Sequence, residues 1–120
     1  MSRHNFKELL VWQKAKDLAK DIYHATNAFP KEEIFGLSQQ IRRSAISILS
    51  NIAEGCGRGT DQQFLQYLQI AQGSAFELEA QVIIADELNF FELKTGEVFL
   101  NQISEIQKMI NGLSDRIKRH

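Results

Sequence analysis

The amino-acid sequence predicts an all-α protein, an antiparallel up-down-up-down bundle of four helices. Four segments repeat apolar residues every three or four positions, which is the spacing of one helix face. Proline and glycine mark the boundaries between segments, and no segment keeps the period of two that a strand shows. We therefore expect a single domain spanning residues 1–120, with helices at roughly 8–28, 31–54, 61–88 and 96–118.

The first helix is predicted from one apolar stripe: Val11, Ala15, Leu18, Ile22, Ala25 and Phe29. Pro30 follows, and then Lys31, Glu32 and Glu33. Proline lacks the N–H that a first helical turn leaves unpaired, and carboxylates favour the positive end of the helix dipole. The second helix is therefore predicted to begin at residue 31, with the stripe Ile34, Leu37, Ile41, Ala45, Ile48 and Ile52.

Three glycines between Gly55 and Gly59 predict the end of the second helix, because glycine adopts left-handed or open conformations at little cost. Residues 60–63 (TDQQ) have the pattern of a capping box that opens the third helix. Its stripe is Phe64, Leu68, Ala71, Ala75, Leu78, Val82 and Ala85. A softer break at residues 89–96 precedes the fourth stripe, which is Phe99, Ile103, Ile106, Ile110, Leu113 and Ile117. Short connections of this kind make consecutive helices antiparallel.

The second and third helices carry more than a core stripe. Small residues at Ala45, Ala71 and Ala75 predict that these two helices form the closest pair. Apolar residues outside the stripes are also frequent on them: Ile46, Leu49, Leu65, Ile70, Phe76, Ile83 and Ile84. This surplus either widens the core face or forms a second buried face between subunits. We favour a homo-oligomer, because monomers seldom expose large apolar patches.

A polar stripe follows the second helix, with Arg43, Ser47, Ser50 and Glu54 on one face. We interpret it either as a solvated face or as an oligomer interface or interhelix polar network formed by Ser47, Asn51, Glu54, Ser74, Glu77 and Glu79. Arg42 or Arg43 could pair with Glu77 or Glu79, across the bundle or between subunits, and the sequence does not say which arginine faces which carboxylate.

Composition narrows the classes of function. The 120 residues are 43% hydrophobic and 24% charged, with a net charge of −1, whereas nucleic-acid-binding domains are typically basic. Residues 1–60 hold nine basic and six acidic side chains, and residues 61–120 hold five and nine, so the halves differ in sign. No apolar run is long enough to span a membrane, and the single cysteine, Cys56, cannot form an internal disulfide, so a cytoplasmic location is expected.

No catalytic or metal-binding pattern stands out. Di-iron bundles need Glu-x-x-His motifs, and the nearest approach is a single pair, Asp21 and His24. We expect no enzyme activity, metal or cofactor. The glycine-rich segment lacks the Gly-Lys-Ser/Thr ending of a P-loop and is interpreted as a helix terminator. If any loop contacts phosphate, this one with Arg58 is the candidate.

Four stretches carry a family resemblance: residues 10–15 (LVWQKA), 40–48 (QIRRSAISI), 51–55 (NIAEG) and 70–74 (IAQGS), the last followed by Glu77 and Glu79. The chain resembles the four-helix bundle proteins called 23S rRNA-intervening sequence proteins, which are similar to the accessory protein of diversity-generating retroelements. The resemblance implies a homopentameric ring. The retroelement relative is a basic ring that binds nucleic acid and a reverse transcriptase. This chain departs from it in being slightly acidic, and it has Leu49 where the family often has proline.

Two functional hypotheses follow, both non-enzymatic and neither involving a membrane. In the first, an oligomer associates with RNA through Arg42, Arg43 and Arg58, or with a nucleic-acid-processing protein. In the alternative, the oligomer is a protein–protein interaction scaffold or adaptor that binds no nucleic acid.

Overall fold

The structure, a computed structural model, describes residues 5–119, so residues 1–4 and 120 of the predicted domain lie outside it. It confirms the all-α class. The helices are α1 (Leu10–Thr26), α2 (Leu37–Cys56), α3 (Asp61–Glu87) and α4 (Thr95–Lys118), with 3-10 turns at Phe6–Glu8 and Lys31–Glu33. No strand occurs between residues 5 and 119. In the same range, no helix has both the length and the apolarity that crossing a membrane requires.

The four helices share one hydrophobic core. α1 packs against α2 and α4, and α3 packs against the same two helices. Nearly all the stripe residues are buried, and the largest side chains with almost no exposure include Leu18, Ile41, Ile48, Leu68 and Ile103. Burying one such side chain contributes about 1.5–3 kcal/mol, so the stripes are the main source of stability. The α2–α3 contact is the most extensive, and Ala45, Ala71 and Ala75 lie within it, each at most 1% exposed.

The second helix begins at Leu37, so its predicted start at residue 31 is wrong. Pro30 opens a 3-10 turn instead, and the backbone of Gly36 (φ −110°, ψ −113°) separates that turn from the α-helix. A Glu33 side-chain oxygen accepts a 3.1 Å hydrogen bond from the Leu37 N–H, which satisfies a donor at the new helix start. As a result Ile34 is 53% exposed and is not a core residue.

Gly55 is explained by packing rather than by an unusual backbone. α2 continues through it to Cys56, a buried residue two positions beyond the predicted end. A Cβ on Gly55 would lie 2.7 Å from the Tyr67 Cβ and 3.0 Å from a ring carbon of Phe64. No glycine between residues 5 and 119 has a positive φ, so of the two conformations considered for these glycines, left-handed or open, the left-handed one does not occur. The Thr60 hydroxyl caps α3 as predicted, accepting from the Gln63 N–H at 3.1 Å.

The connection between α3 and α4 closes one end of the core with phenylalanines. Left-handed residues at Asn89 (φ 59°) and Lys94 (φ 70°) turn the chain. Phe91 packs edge-on against Phe29 and Phe99, with ring centroids 5.0 and 5.4 Å apart. This cluster was not predicted, because Phe91 lies in a segment without helical periodicity.

Candidate interaction surfaces

A line of hydrogen bonds joins α2 to α3 outside the core; we call it the polar seam, formed by Ser44, Ser47, Asn51, Ser74 and Glu77. The Ser44 hydroxyl donates to a Glu77 carboxylate oxygen at 2.8 Å, and the Ser47 and Ser74 hydroxyls are 2.7 Å apart. The Asn51 amide donates to the Ser47 carbonyl at 2.8 Å and to its hydroxyl at 3.1 Å. The small side chains let the two helix backbones approach closely, and each hydroxyl is paired across that approach.

Glu79, expected beside these residues, lies on the other side of α3. Its carboxylate accepts a hydrogen bond from the Gln107 amide of α4 at 2.9 Å. Gln72, two turns earlier on the same side, donates to the Gln107 carbonyl at 3.0 Å and to the Asn111 side chain at 2.9 Å. Polar contacts therefore flank the core on both sides of α3.

Glu54 and Arg58 form a separate cluster at the turn between α2 and α3. The Arg58 guanidinium is 3.0 Å from a Glu54 carboxylate oxygen and donates to the Tyr67 hydroxyl at 2.8 Å. It also lies over the Tyr67 ring, 5.1 Å from the centroid. The cluster covers the side of the helix turn where Gly55 packs, so Arg58 has intramolecular partners at the position expected to meet phosphate.

Arg42 joins α2 to the end of α1, so among the described residues its partners are not Glu77 or Glu79, the carboxylates considered for Arg42 or Arg43. Its Nε donates to the Thr26 hydroxyl at 2.7 Å, and its Nη2 donates to the Asn27 side chain at 2.8 Å and the Tyr23 carbonyl at 3.2 Å. The guanidinium lies 4.8 Å from the Tyr23 ring centroid. Thr26 is buried and donates its own proton to the Ile22 carbonyl. These acceptors at a helix C-terminus were not predicted.

Arg43 is exposed on α2, whereas Arg42 and Arg58, the other two arginines of the RNA hypothesis, are half-buried. Ser50 is exposed on the same helix. Of the three predicted phosphate-binding arginines, Arg43 is therefore the most accessible to a ligand.

The surface of α3 opposite the core is apolar and acidic. We call it the α3 outer face, formed by Gly73, Phe76, Glu77, Ala80, Ile83, Ile84 and Glu87. Phe76 is 57% exposed, Ile84 46% and Ile83 40%. Of the seven predicted surplus apolar residues, Leu49 and Leu65 pack partly against the core, and the other five are exposed. A widened core therefore accounts for only two of them.

A second apolar surface lies between α1 and α2; we call it the α1–α2 groove. It is a depression of about 340 Å³ lined by Lys16, Ala19, Lys20, Tyr23, His24, Ile46 and Leu49. Its lining contains two lysines and a histidine but no carboxylate. The lysine rim and apolar floor make this groove the opposite of the α3 outer face in charge.

Asp21 and His24, the pair nearest to a di-iron motif, line another depression, of about 330 Å³, with Phe90, Phe91 and Glu92. Within residues 5–119, no group of three or more His, Cys, Asp or Glu side chains is arranged to hold a metal ion.

A family model described as "23S rRNA-intervening sequence protein" matches residues 7–112. The chain belongs to the 23S rRNA-intervening sequence protein family. A solved structure, a protein with unknown function from the S23 ribosomal protein family from Bacteroides thetaiotaomicron, has 25% sequence identity and a TM-score of 0.81. The match covers 88% of this chain and 98% of that one. No curated protein sequence matches the chain.

The family-like stretches of this 23S rRNA-intervening sequence protein lie at the helix contacts described above. Residues 40–48 supply Arg42 and two seam serines, and residues 51–55 supply Asn51 and Gly55. Residues 70–74 supply Gln72 and Ser74. In this chain, most of the side chains that carry the resemblance are therefore engaged in holding helices together.

Proposed function

We propose that this chain is a non-enzymatic, self-associating binding protein whose subunits form a ring. The observation that carries the proposal is the α3 outer face, where Phe76, Ile83 and Ile84 are at least 40% exposed in a single chain. Monomeric proteins rarely leave a large contiguous apolar patch in water, and subunit interfaces bury such patches. The pentameric state is the one that the family resemblance implies.

The up-down arrangement of the helices is part of this proposal. The pairs Ser44–Glu77 and Ser47–Ser74 support it for α2 and α3, because the numbers rise along one helix and fall along the other. The pairs Gln72–Asn111 and Glu79–Gln107 do the same for α3 and α4. The short connection at residues 57–60 also favours antiparallel neighbours.

We also propose that the chain is not an enzyme. The seam hydroxyls are engaged with one another and with Glu77, rather than with a histidine that would activate a nucleophile. A catalytic site that combines Glu54 with Glu77 is also disfavoured. Glu77 bonds Ser44, and Glu54 lies ten residues beyond Ser44 on α2. At 1.5 Å per residue, Ser44 and Glu54 are roughly 15 Å apart along the helix.

Light scattering coupled to size-exclusion chromatography tests self-association directly. The wild-type chain, 13.7 kDa, should elute at a multiple of its mass at micromolar concentration. Phe76→Ser should lower that mass, because it removes the largest apolar side chain of the α3 outer face. Leu93→Ser is the matched control, since Leu93 is exposed and lies in the connection between α3 and α4. A wild-type monomer at micromolar concentration would overturn the proposal.

RNA association is the second candidate, supported by the name of the family and by the exposure of Arg43. Repetition around a ring would place several copies of Arg43 on one assembly. Phosphate binding should weaken steeply between about 50 and 200 mM salt. Filter binding of an RNA hairpin should show this loss of binding. Arg43→Gln should weaken binding, whereas the control Lys108→Gln, at an exposed position of α4, should not. If no RNA is retained at the lower salt, the scaffold function stands alone.

The cytoplasmic location stays a prediction.

A further inference from the structure

Two apolar surfaces of the chain carry opposite charge. We propose that subunits join head to tail, with the α3 outer face of one copy docked into the α1–α2 groove of the next. The proposal rests on the self-association proposed above and adds to it the two surfaces that meet.

The α3 outer face belongs to a helix that has acidic residues and no basic ones. The carboxylates of α3 are Asp61, Glu77, Glu79, Asp86 and Glu87. Phe76, Ala80, Ile83 and Glu87 follow one another at steps of four, three and four residues, so they line up along the exposed side. Glu77 and Glu87 border the apolar residues, and a docking partner therefore meets apolar side chains rimmed by negative charge.

The backbone of this face is also open to close approach. Gly73 lies in the middle of α3, and a Cβ there would meet nothing within 4 Å among residues 5–119 apart from the adjacent backbone of its own helix. Glycine inside a helix costs about 1 kcal/mol relative to alanine, and no packing contact among the described residues explains it here. With Ala80 two turns on, Gly73 lowers the surface beside Phe76, which leaves the phenylalanine projecting from its surroundings.

The α1–α2 groove has the complementary properties. Ile46 and Leu49 form its floor with Ala19, and Lys16 and Lys20 form its rim. The wall at Tyr23 is fixed, because Arg42 lies over that ring and bonds the backbone behind it. A projecting aromatic side chain in a preformed apolar depression, surrounded by opposite charges, is the arrangement that gives interfaces both affinity and orientation.

Charge favours a head-to-tail contact over a symmetric one. Two α3 outer faces placed together would bring Glu77 and Glu87 near their own copies, and two grooves would bring lysines together. Like charges at a contact are unfavourable, whereas face against groove pairs carboxylates with lysines. A contact between different surfaces leaves one free face and one free groove on every dimer, so it continues until a ring closes.

Two single-site variants test the pairing. Phe76→Asp blocks the face and leaves the groove intact; Ile46→Asp blocks the groove and leaves the face intact. Both sites are exposed, so circular dichroism should show wild-type helix content. Each variant alone should be monomeric by light scattering, since every head-to-tail contact uses both surfaces. An equimolar mixture should form a dimer and nothing larger, because only one productive contact is possible.

Other outcomes separate the alternatives. If Ile46→Asp still assembles and the mixture gains nothing, α3 contacts α3 and the proposal is wrong although self-association survives. If Ile46→Asp assembles normally but loses RNA, the groove is an RNA surface and the proposal is again wrong. A monomeric wild type removes the proposed function itself.

The lysine rim has its own test. The double variant Lys16→Gln, Lys20→Gln should raise the concentration at half-assembly by about tenfold, as expected for the loss of a few rim charge contacts. Added salt should shrink the difference. Lys108→Gln, Lys118→Gln is the matched control on α4 and should assemble like the wild type. Equal effects from both pairs would contradict a specific role for the groove lysines.

Discussion

The inner and outer faces of α3 differ more in their surroundings than in their composition. The inner face is apolar and buried against α2 and α4, whereas the outer face combines Phe76, Ile83 and Ile84 with acidic residues and lies in water in a single chain. A helix with apolar residues beyond its core stripe normally buries them against another surface. Sequence periodicity identifies which faces of a helix are apolar. The structure of one chain then shows which of those faces are buried and which remain exposed.

The largest expected loss of stability comes from a substitution on the inner face of α3. Leu78→Ala removes a fully buried side chain and should lower the free energy of unfolding by about 2–5 kcal/mol. Ile84→Ala, on the outer face, should change the stability of the monomer far less. Urea unfolding of both variants in the Phe76→Asp background, where assembly is blocked, measures the difference. Equal losses would mean that the two faces are not distinct.

The next effect contrasts two glycines. Gly55→Ala places a Cβ against Tyr67 and Phe64, and overpacking of this kind costs about 1–3 kcal/mol. Gly73→Ala meets no neighbouring element in the described part of the chain and should stabilise the monomer by about 1 kcal/mol through helix propensity. Thermal unfolding of both in the same monomeric background gives the comparison. A destabilised Gly73→Ala monomer would show that the outer face is already covered within the chain.

A smaller effect is expected where the inner contact reaches the polar seam. Ser47→Ala leaves the Ser74 hydroxyl and the Asn51 amide each without one partner, and should cost about 1 kcal/mol. Ser50→Ala is the control, since Ser50 is exposed on the same helix. Urea unfolding measures both. If the two variants are equally stable, the seam hydrogen bonds add nothing to the α2–α3 contact.

The smallest effect concerns the charged cluster at the end of that contact. Glu54→Gln weakens the pair with Arg58, and half-exposed ion pairs contribute about 0.2–1 kcal/mol. The loss should disappear in high salt, because the charges are accessible to ions. Glu105→Gln is the comparison variant, because it weakens another half-exposed ion pair, between Glu105 and Lys14, elsewhere on the surface. A larger, salt-independent loss would place the cluster inside the packed core.

Sequence periodicity predicted the four helices and almost every core residue, because burial repeats with the helix itself. The start of the second helix was wrongly placed at residue 31 from Pro30 and the acidic residues after it, because this pattern suits a 3-10 turn as well as an α-helix. The destination of Arg42 was not predictable, because it depends on how far α2 is rotated relative to α1. The surplus apolar residues were identified from sequence, but their exposure required the packed structure.

The single cysteine gives the protein a built-in reporter of motion. Cys56 is 4% exposed at the junction of α2 and α3, so a thiol reagent can reach it only when that end of the bundle opens. The labelling rate then measures the frequency of a local opening that leaves the rest of the bundle folded. A partner that clamps this end would slow the labelling, so one residue allows a ligand that binds there to be detected without a tag.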